Sequence, residues 1–290
     1  MSSRIALGTA QFGAAYGIAN ASGQVSLGSA RAIVDAARAA GVDTLDTAAL
    51  YGASEAMLGE IGVADFRVVT KLPGLPEDCD DVGAWARAAT IASLRRLNIA
   101  RLGGLLLHRP ADLLGAHGGG LFAALVALRS EGLVARIGYS VYSPDELEAL
   151  VKNFRPDLVQ APYNVFDRRL AASGWLSRLK DIGAEVHTRS AFLQGLLLFP
   201  RGRWPEKFQP WRELLENWHD WREKRGLTPI QAALAHALAL PGVDRVVVGV
   251  DSAPQLQEIV QASRGSGVDV PGDIQCADDA LINPSRWNAL

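Results

Sequence analysis

Gly41-Val-Asp-Thr-Leu-Asp-Thr-Ala-Ala-Leu-Tyr-Gly52 is the stretch from which the rest of the chain can be placed. The short apolar run over 42–45 follows an Ala-rich helical segment at 29–40, which predicts a buried strand entered from a helix. Asp46 then falls at the C-terminal end of that strand and Tyr51 in the loop beyond it. In α/β proteins that end of the sheet carries the chemistry.

Outward from this unit the same alternation continues in both directions. Strand-like runs occur at 4–7, 42–45, 66–70, 102–107, 135–139, 158–160, 185–188 and 245–248. Helical patterns at 29–40, 54–61, 81–97, 121–131, 144–152, 170–182 and 254–262 separate them. Asp80 and Asp81 suit the start of the third helix, and Ser143 the start of the fifth. The strand runs are apolar throughout, as strands covered on both faces should be. Eight such units predict an α/β fold of the closed (β/α)8 TIM-barrel type, a single domain over 1–290. A barrel takes about 250 residues, which leaves an insertion near 199–210 and an irregular C-terminal cover over 268–290.

Composition narrows the partners. The formal charge is −2 over 290 residues and no block of like charge is present, so neither nucleic acid nor an anionic membrane surface has an electrostatic footprint. Cys79 and Cys276 stand far apart without CxxC or Cys/His spacing, which argues against a zinc site or a disulfide framework and fits a reducing cytoplasm. The first residues do not read as a secretory signal. The longest apolar candidate, 232–240, contains His236 and is stopped by Pro241, so it reads as a core helix rather than a membrane span. A small-molecule partner is expected; on oligomeric state the sequence is silent.

Four polar residues stand at the ends of successive strands: Asp46 and Tyr51 after the second, Lys71 at the third, His108 at the fourth. Singly, Lys71 reads as a solvated strand-end lysine, Asp46 as a cap and His108 as a core histidine. Jointly they put a carboxylate, an ammonium, a phenol and an imidazole on one face of one barrel. The ammonium favours phenolate and the carboxylate keeps the ammonium charged, which makes Tyr51 a proton donor near neutral pH.

Those residues sit in text that resembles the aldo-keto reductases along essentially the whole chain: Leu7-Gly-Thr-Ala-Gln-Phe-Gly13, Asp46 through Glu55, Val69-Thr-Lys71, Leu105-Leu-Leu-His108-Arg-Pro110, Ile137-Gly-Tyr-Ser140, Gln160-Ala-Pro-Tyr-Asn164 and Gln194-Gly-Leu-Leu197. The resemblance implies an NADPH-dependent oxidoreductase that reduces aldehydes or ketones, with Asp46, Tyr51, Lys71 and His108 as its tetrad. By similarity Ser140 and Gln160 hold the nicotinamide carboxamide. Gln194-Gly195 and the segment Gly249 to Gln255, with Ser252, carry the pyrophosphate and adenosine ends. No G-x-G-x-x-G follows any strand, so a Rossmann reading has no support.

This chain departs from the family in three places. Ser140-Val141 stands where Ser-Asn is usual, and Thr188-Arg189-Ser190 where many members stack a Tyr on the nicotinamide; Arg189 is expected to lie over the ring or approach the pyrophosphate instead, with Ser190 beside it as a cofactor contact. At the last helix no Arg or Lys occupies the positions that grip a 2′-phosphate; Gln255 is there, and Ile259 replaces an Asn. NAD therefore stays open beside NADP. Two further readings of the same text are a nicotinamide-binding regulatory protein, as the potassium-channel β subunits of this superfamily exemplify, and an enzyme that keeps its cofactor through an epimerisation or dehydration.

Other signals are weaker. His117-Gly-Gly-Gly120 imitates an esterase oxyanion loop, but no G-x-S-x-G elbow supplies a nucleophile. His117, His187, His219 and His236 have no metal-ligand spacing, and no metal is expected. The Trp-rich stretch 199–225 mixes aromatic and basic residues, yet Trp211, Leu214, Leu215 and Trp218 sit at helical spacing and read as a barrel cover. Trp204 and Phe208 are candidates for the pocket or for packing. Loop 13–20, loop 204–208 and the C-terminal tail are expected to shape the substrate site.

Overall fold

All eight expected strands form, most of them displaced toward the C-terminus by one or two residues, in a computed structural model that describes residues 3–289. They are β1 (Ile5–Gly8), β2 (Thr44–Asp46), β3 (Arg67–Leu72), β4 (Gly104–Leu107), β5 (Ile137–Ser140), β6 (Leu158–Pro162), β7 (Glu185–Arg189) and β8 (Arg245–Gly249). Each pairs in parallel with the next, and β8 returns to β1, closing the barrel with Gly8 opposite Gly249. The ends of the expected domain, residues 1–2 and 290, lie outside the described residues.

Side-chain parity along the strands explains where the chemistry falls. Successive residues point to opposite faces of a strand. Val68 and Leu72 of β3, Leu105 and Leu107 of β4, and Val246 and Val248 of β8 join the large apolar layer under the helices. Val69, Leu106 and Leu158 form a separate buried cluster inside the barrel. Residues two positions beyond these, Lys71, His108 and Gln160, therefore lie on the inward face at the top. The same count brings Ser140, Arg189 and Gly249 there from β5, β7 and β8. Two positions below, the inward face is charged: Glu185 accepts from Arg67 at 2.6 and 2.7 Å and contacts Arg136 at 3.0 Å and His187 at 2.8 Å. The barrel is thus filled in layers, ionic at the bottom, aliphatic in the middle and polar at the top.

Several local expectations change in detail. Asp81 caps Val82–Leu97 by accepting from the Ala84 N–H, as its position suggested. Ser143 does not cap the fifth helix, which spans Glu146–Asn153; instead the Glu146 carboxylate accepts from the N–H groups of Tyr142 and Ser143. The helix expected over 170–182 is two pieces, Arg169–Ala172 and Trp175–Asp181, divided at Gly174. The three glycines after His117 are absorbed into the first turn of Gly118–Ser130.

The segment between β7 and β8 holds short 3₁₀ turns at Leu193–Leu198 and Glu206–Trp211 and helices Arg212–Glu223 and Pro229–Ala239. The last begins with a capping box, Thr228 with Gln231. Trp204 and Phe208 are buried packing residues, Phe208 edge-on to Trp287 at 4.8 Å, and neither lines the cleft described below. Leu215 and Trp218 cover the core as expected. The tail is tied to the β6 loop: Arg168 donates to the carbonyls of Val270, Pro271 and Ile274, and the Cys276 N–H to Phe166 O. It too stays out of the cleft.

Candidate active site

A cleft of about 530 Å³ opens at the C-terminal end of the strands, within the size range of small-molecule sites. All four residues singled out at the strand ends reach it. Asp46 ends β2, Lys71 is the penultimate residue of β3, and His108 follows β4 directly.

Asp46 and Lys71 are almost wholly buried, and Lys71 Nζ donates to Asp46 Oδ1 at 2.7 Å and to Thr47 O at 2.9 Å. The second carboxylate oxygen is also engaged, by Gln160 Nε2 at 2.7 Å. Burial alone pulls the Lys71 pKa down, but Asp46 and Tyr51 outweigh it and the net direction is up. Lys71 is therefore a fixed ammonium, its Nζ 5.2 Å from the centroid of the Tyr51 ring. His108 meets the same ring edge-on with centroids 5.9 Å apart. Burial, followed by the positive charges of Lys71 and Arg189, lowers the His108 pKa to about 4. Its imidazole is neutral at pH 7, and buried Nδ1 has no protein partner.

The turn that holds Tyr51 rests on two glycines. Gly52 has φ of +49°, and a Cβ there would lie 2.4 Å from Gly13 O; a Cβ on Gly13 would lie 1.6 Å from Tyr51 O. Only bare backbone permits this approach. Beneath the turn, Ser54 Oγ lies 2.8 Å from Thr9 Oγ1 and 3.1 Å from Thr47 Oγ, a buried hydroxyl cluster that locks the loops after β1 and β2 together.

Most of the proposed cofactor residues line the same cleft: Ser140, Gln160, Arg189, Ser190, Gln194, Gly195, Gly249 and Gln255. Ser252 does not; it caps helix Ala253–Ala262, its Oγ accepting from the Gln255 N–H at 3.4 Å. Gln160 serves Asp46 through its amide nitrogen, while its Oε1 receives only the 3.4 Å bond from Ser140 Oγ. Arg189 donates to Val141 O at 3.0 Å and lies 4.6 Å over the Tyr142 ring. The loop after β7 is strained, with Ser190, Leu193 and Gln194 all at positive φ, as is common where a loop is held in one functional shape.

Residues that sequence reading did not single out complete the walls. Tyr16 and Asn20 come from loop 13–20, which was expected to matter as a whole. Tyr16 Oη accepts from Gln194 Nε2 at 3.1 Å, and the Ile18 N–H donates to Gln194 O at 3.0 Å, strapping this loop to the one after β7. Tyr142 and Asp251 also face the cleft. The one sequence signal for Tyr142 was its position just after β5, whereas Asp251 lies within the segment up to Gln255 that the resemblance had assigned to the cofactor. Among the described residues no group of His, Cys, Asp and Glu forms a metal site, and no helix is long and apolar enough to cross a membrane.

Asp46, Tyr51, Lys71 and His108 thus meet at the mouth of one closed (β/α)8 barrel. The sequence model of the aldo/keto reductase family matches residues 4–265, and the chain belongs to that family. It is 28% identical over 288 residues to the oxidoreductase sirO of Leptosphaeria maculans, covering 88% of this chain and 86% of that one. The aldo-keto reductase AKR11C1 of Bacillus halodurans in its holo form superposes with a TM-score of 0.74 at 23% identity, over 92% of this chain and 89% of its own. Its apo form gives 0.68 at 24% identity over 84% of each chain.

Proposed function

We propose that this chain reduces an aldehyde or ketone to the alcohol, with a reduced nicotinamide dinucleotide as hydride source and Tyr51 as proton donor. The observation that supports this reading is the buried Asp46–Lys71 pair set against the Tyr51 ring, with a neutral His108 at the ring's edge. The dinucleotide supplies the hydride. Everything else is the work of the chain's own groups.

Tyr51 gives its proton to the developing alkoxide. Lys71, held charged by Asp46, favours the phenolate that remains. Gln160 fixes the second Asp46 oxygen, so the carboxylate cannot rotate away from the ammonium. A neutral His108 donates one N–H to the carbonyl oxygen without competing as a stronger acid. Ser140 Oγ and Gln160 Oε1 are suited to a carboxamide, and Gln194, Gly195 and Gly249 bring backbone close to the cleft. The cleft runs from the tetrad to helix Ala253–Ala262, a shape that suits an extended ligand.

The test is Tyr51→Phe, assayed by oxidation of NADH and NADPH with a panel of aldehydes including a nitrobenzaldehyde. Proton donation contributes about 10²–10⁴-fold, so turnover falls by at least 100-fold while cofactor binding, followed by fluorescence, persists. A variant at near wild-type rate refutes Tyr51 as the donor. Wild-type protein that binds cofactor tightly and turns over no carbonyl would instead make it a nicotinamide-dependent regulator.

A further inference from the structure

Charge along the cleft is divided. Its basic side chains are Lys71, His108 and Arg189, all at the tetrad end. Arg189 reaches further from β8 still, because its guanidinium is held on Val141 O and the Tyr142 ring. The opposite end, formed by the loop after β8 and helix Ala253–Ala262, is walled by Asp251, Gln255, Glu258 and Ile259, with Asn20 facing them. No Lys or Arg among the lining residues belongs to that end.

Asp251 is held in place there. Its Oδ1 accepts from Asn20 Nδ2 at 3.1 Å, and its N–H donates to Gln255 Oε1 at 2.7 Å. That second bond occupies the carbonyl oxygen of Gln255 in supporting the loop. Burial raises the Asp251 pKa, with only the hydrogen bond to Gln255 opposing it and no cation nearby to offset it. A carboxylate so placed accepts a hydrogen bond from a neutral hydroxyl and repels a phosphate dianion. The same chemistry separates the two nicotinamide cofactors: a carboxylate suits the free ribose 2′-hydroxyl, whereas a 2′-phosphate needs an arginine or similar cation.

We propose that this chain takes NAD(H) in preference to its 2′-phosphorylated form, and that Asp251 decides the choice. The inference rests on the nicotinamide reading above. It replaces the NADPH expected from family resemblance, because that end of the cleft offers a 2′-phosphate two carboxylates and no cation.

Isothermal titration of the full-length protein with NADH and with NADPH tests this without turnover. The expected result is NADH bound at least tenfold more tightly, a difference of about 1.4 kcal/mol. Asp251→Asn keeps an acceptor for Asn20 while removing the charge, and is expected to narrow the ratio several-fold by tightening NADPH alone. Asp251→Arg is expected to reverse the preference. Equal or tighter binding of NADPH by the wild-type protein overturns the proposal and leaves the nicotinamide reading intact. A ratio unchanged in Asp251→Asn overturns the role given to Asp251. Binding of neither cofactor overturns both readings together.

Discussion

Replacing Lys71 by Met separates what the buried ion pair contributes from what its disruption costs. At 2.7 Å the attraction between Nζ and Asp46 Oδ1 is about 6 kcal/mol at an effective dielectric of roughly 20. Removing the two ions from water costs several kcal/mol each, so the intact pair contributes little net stability. Lys71→Met leaves Asp46 as a buried charge satisfied only by Gln160. The expected loss is about 3–5 kcal/mol, read as a lower urea midpoint at pH 8. The double variant Asp46→Leu/Lys71→Met is the discriminating control: with both charges gone, only the neutral Gln160 amide and Thr47 carbonyl lose their partners, at about 1–3 kcal/mol. It is expected to be at least about 2 kcal/mol more stable than Lys71→Met at pH 8. A single variant within about 1 kcal/mol of wild type, or a double variant no better than the single, refutes the account. In the wild-type protein the raised Lys71 pKa places its stabilising contribution below the unfolded value of about 10.4; it is lost only as pH rises beyond that.

Four further outcomes are expected. His108 and His236, both lowered to about 4 mainly by burial, are neutral when folded; their contribution is present above about 6.5 and is lost as pH falls toward 4, which acid titrations of folding free energy will show. Arg189→Met removes one of the positive charges acting on His108, so the His108 resonance followed by NMR titrates at higher pH than in wild type. Gly13→Ala drives a methyl into Tyr51 O and is expected to lower kcat at least tenfold while NADH affinity changes less than threefold, a split that steady-state kinetics and titration together resolve. Glu185→Gln breaks the ion cluster at the far end of the barrel and is expected to cost about 3 kcal/mol of stability with kcat unchanged, since no Glu185 contact reaches the cleft.

The meeting of Asp46, Tyr51, Lys71 and His108 in one cleft was legible because strand parity and strand order are written in the chain. An apolar run that ends in a carboxylate, repeated on successive strands with Lys71 and His108, places those groups on one face without any long-range information. Ser143 failed as a cap because its Oγ closes a tight local turn on Asp145, accepting from that residue's N–H at 3.3 Å and donating to its carboxylate at 3.1 Å, and the helix starts only at Glu146. Trp204 and Phe208 failed as pocket residues because Trp287 and His219, far along the chain, take up their surfaces. Their fate depended on partners that local pattern cannot name.

The sequence by itself determined the eightfold alternation, the barrel and the membership of Asp46, Tyr51, Lys71 and His108 in one site, because each follows from periodicities of two to four residues repeated along the chain. Only the tertiary structure decided how those groups are used and what lies beside them. Gln160 became the second clamp on Asp46 across 114 residues of sequence, and Gly13 became the seat of the Tyr51 turn. Asp251, a turn residue in the text, became a half-buried carboxylate at the cation-free end of the cleft. Burial and Coulomb interactions depend on distance in space, and closing the barrel sets those distances.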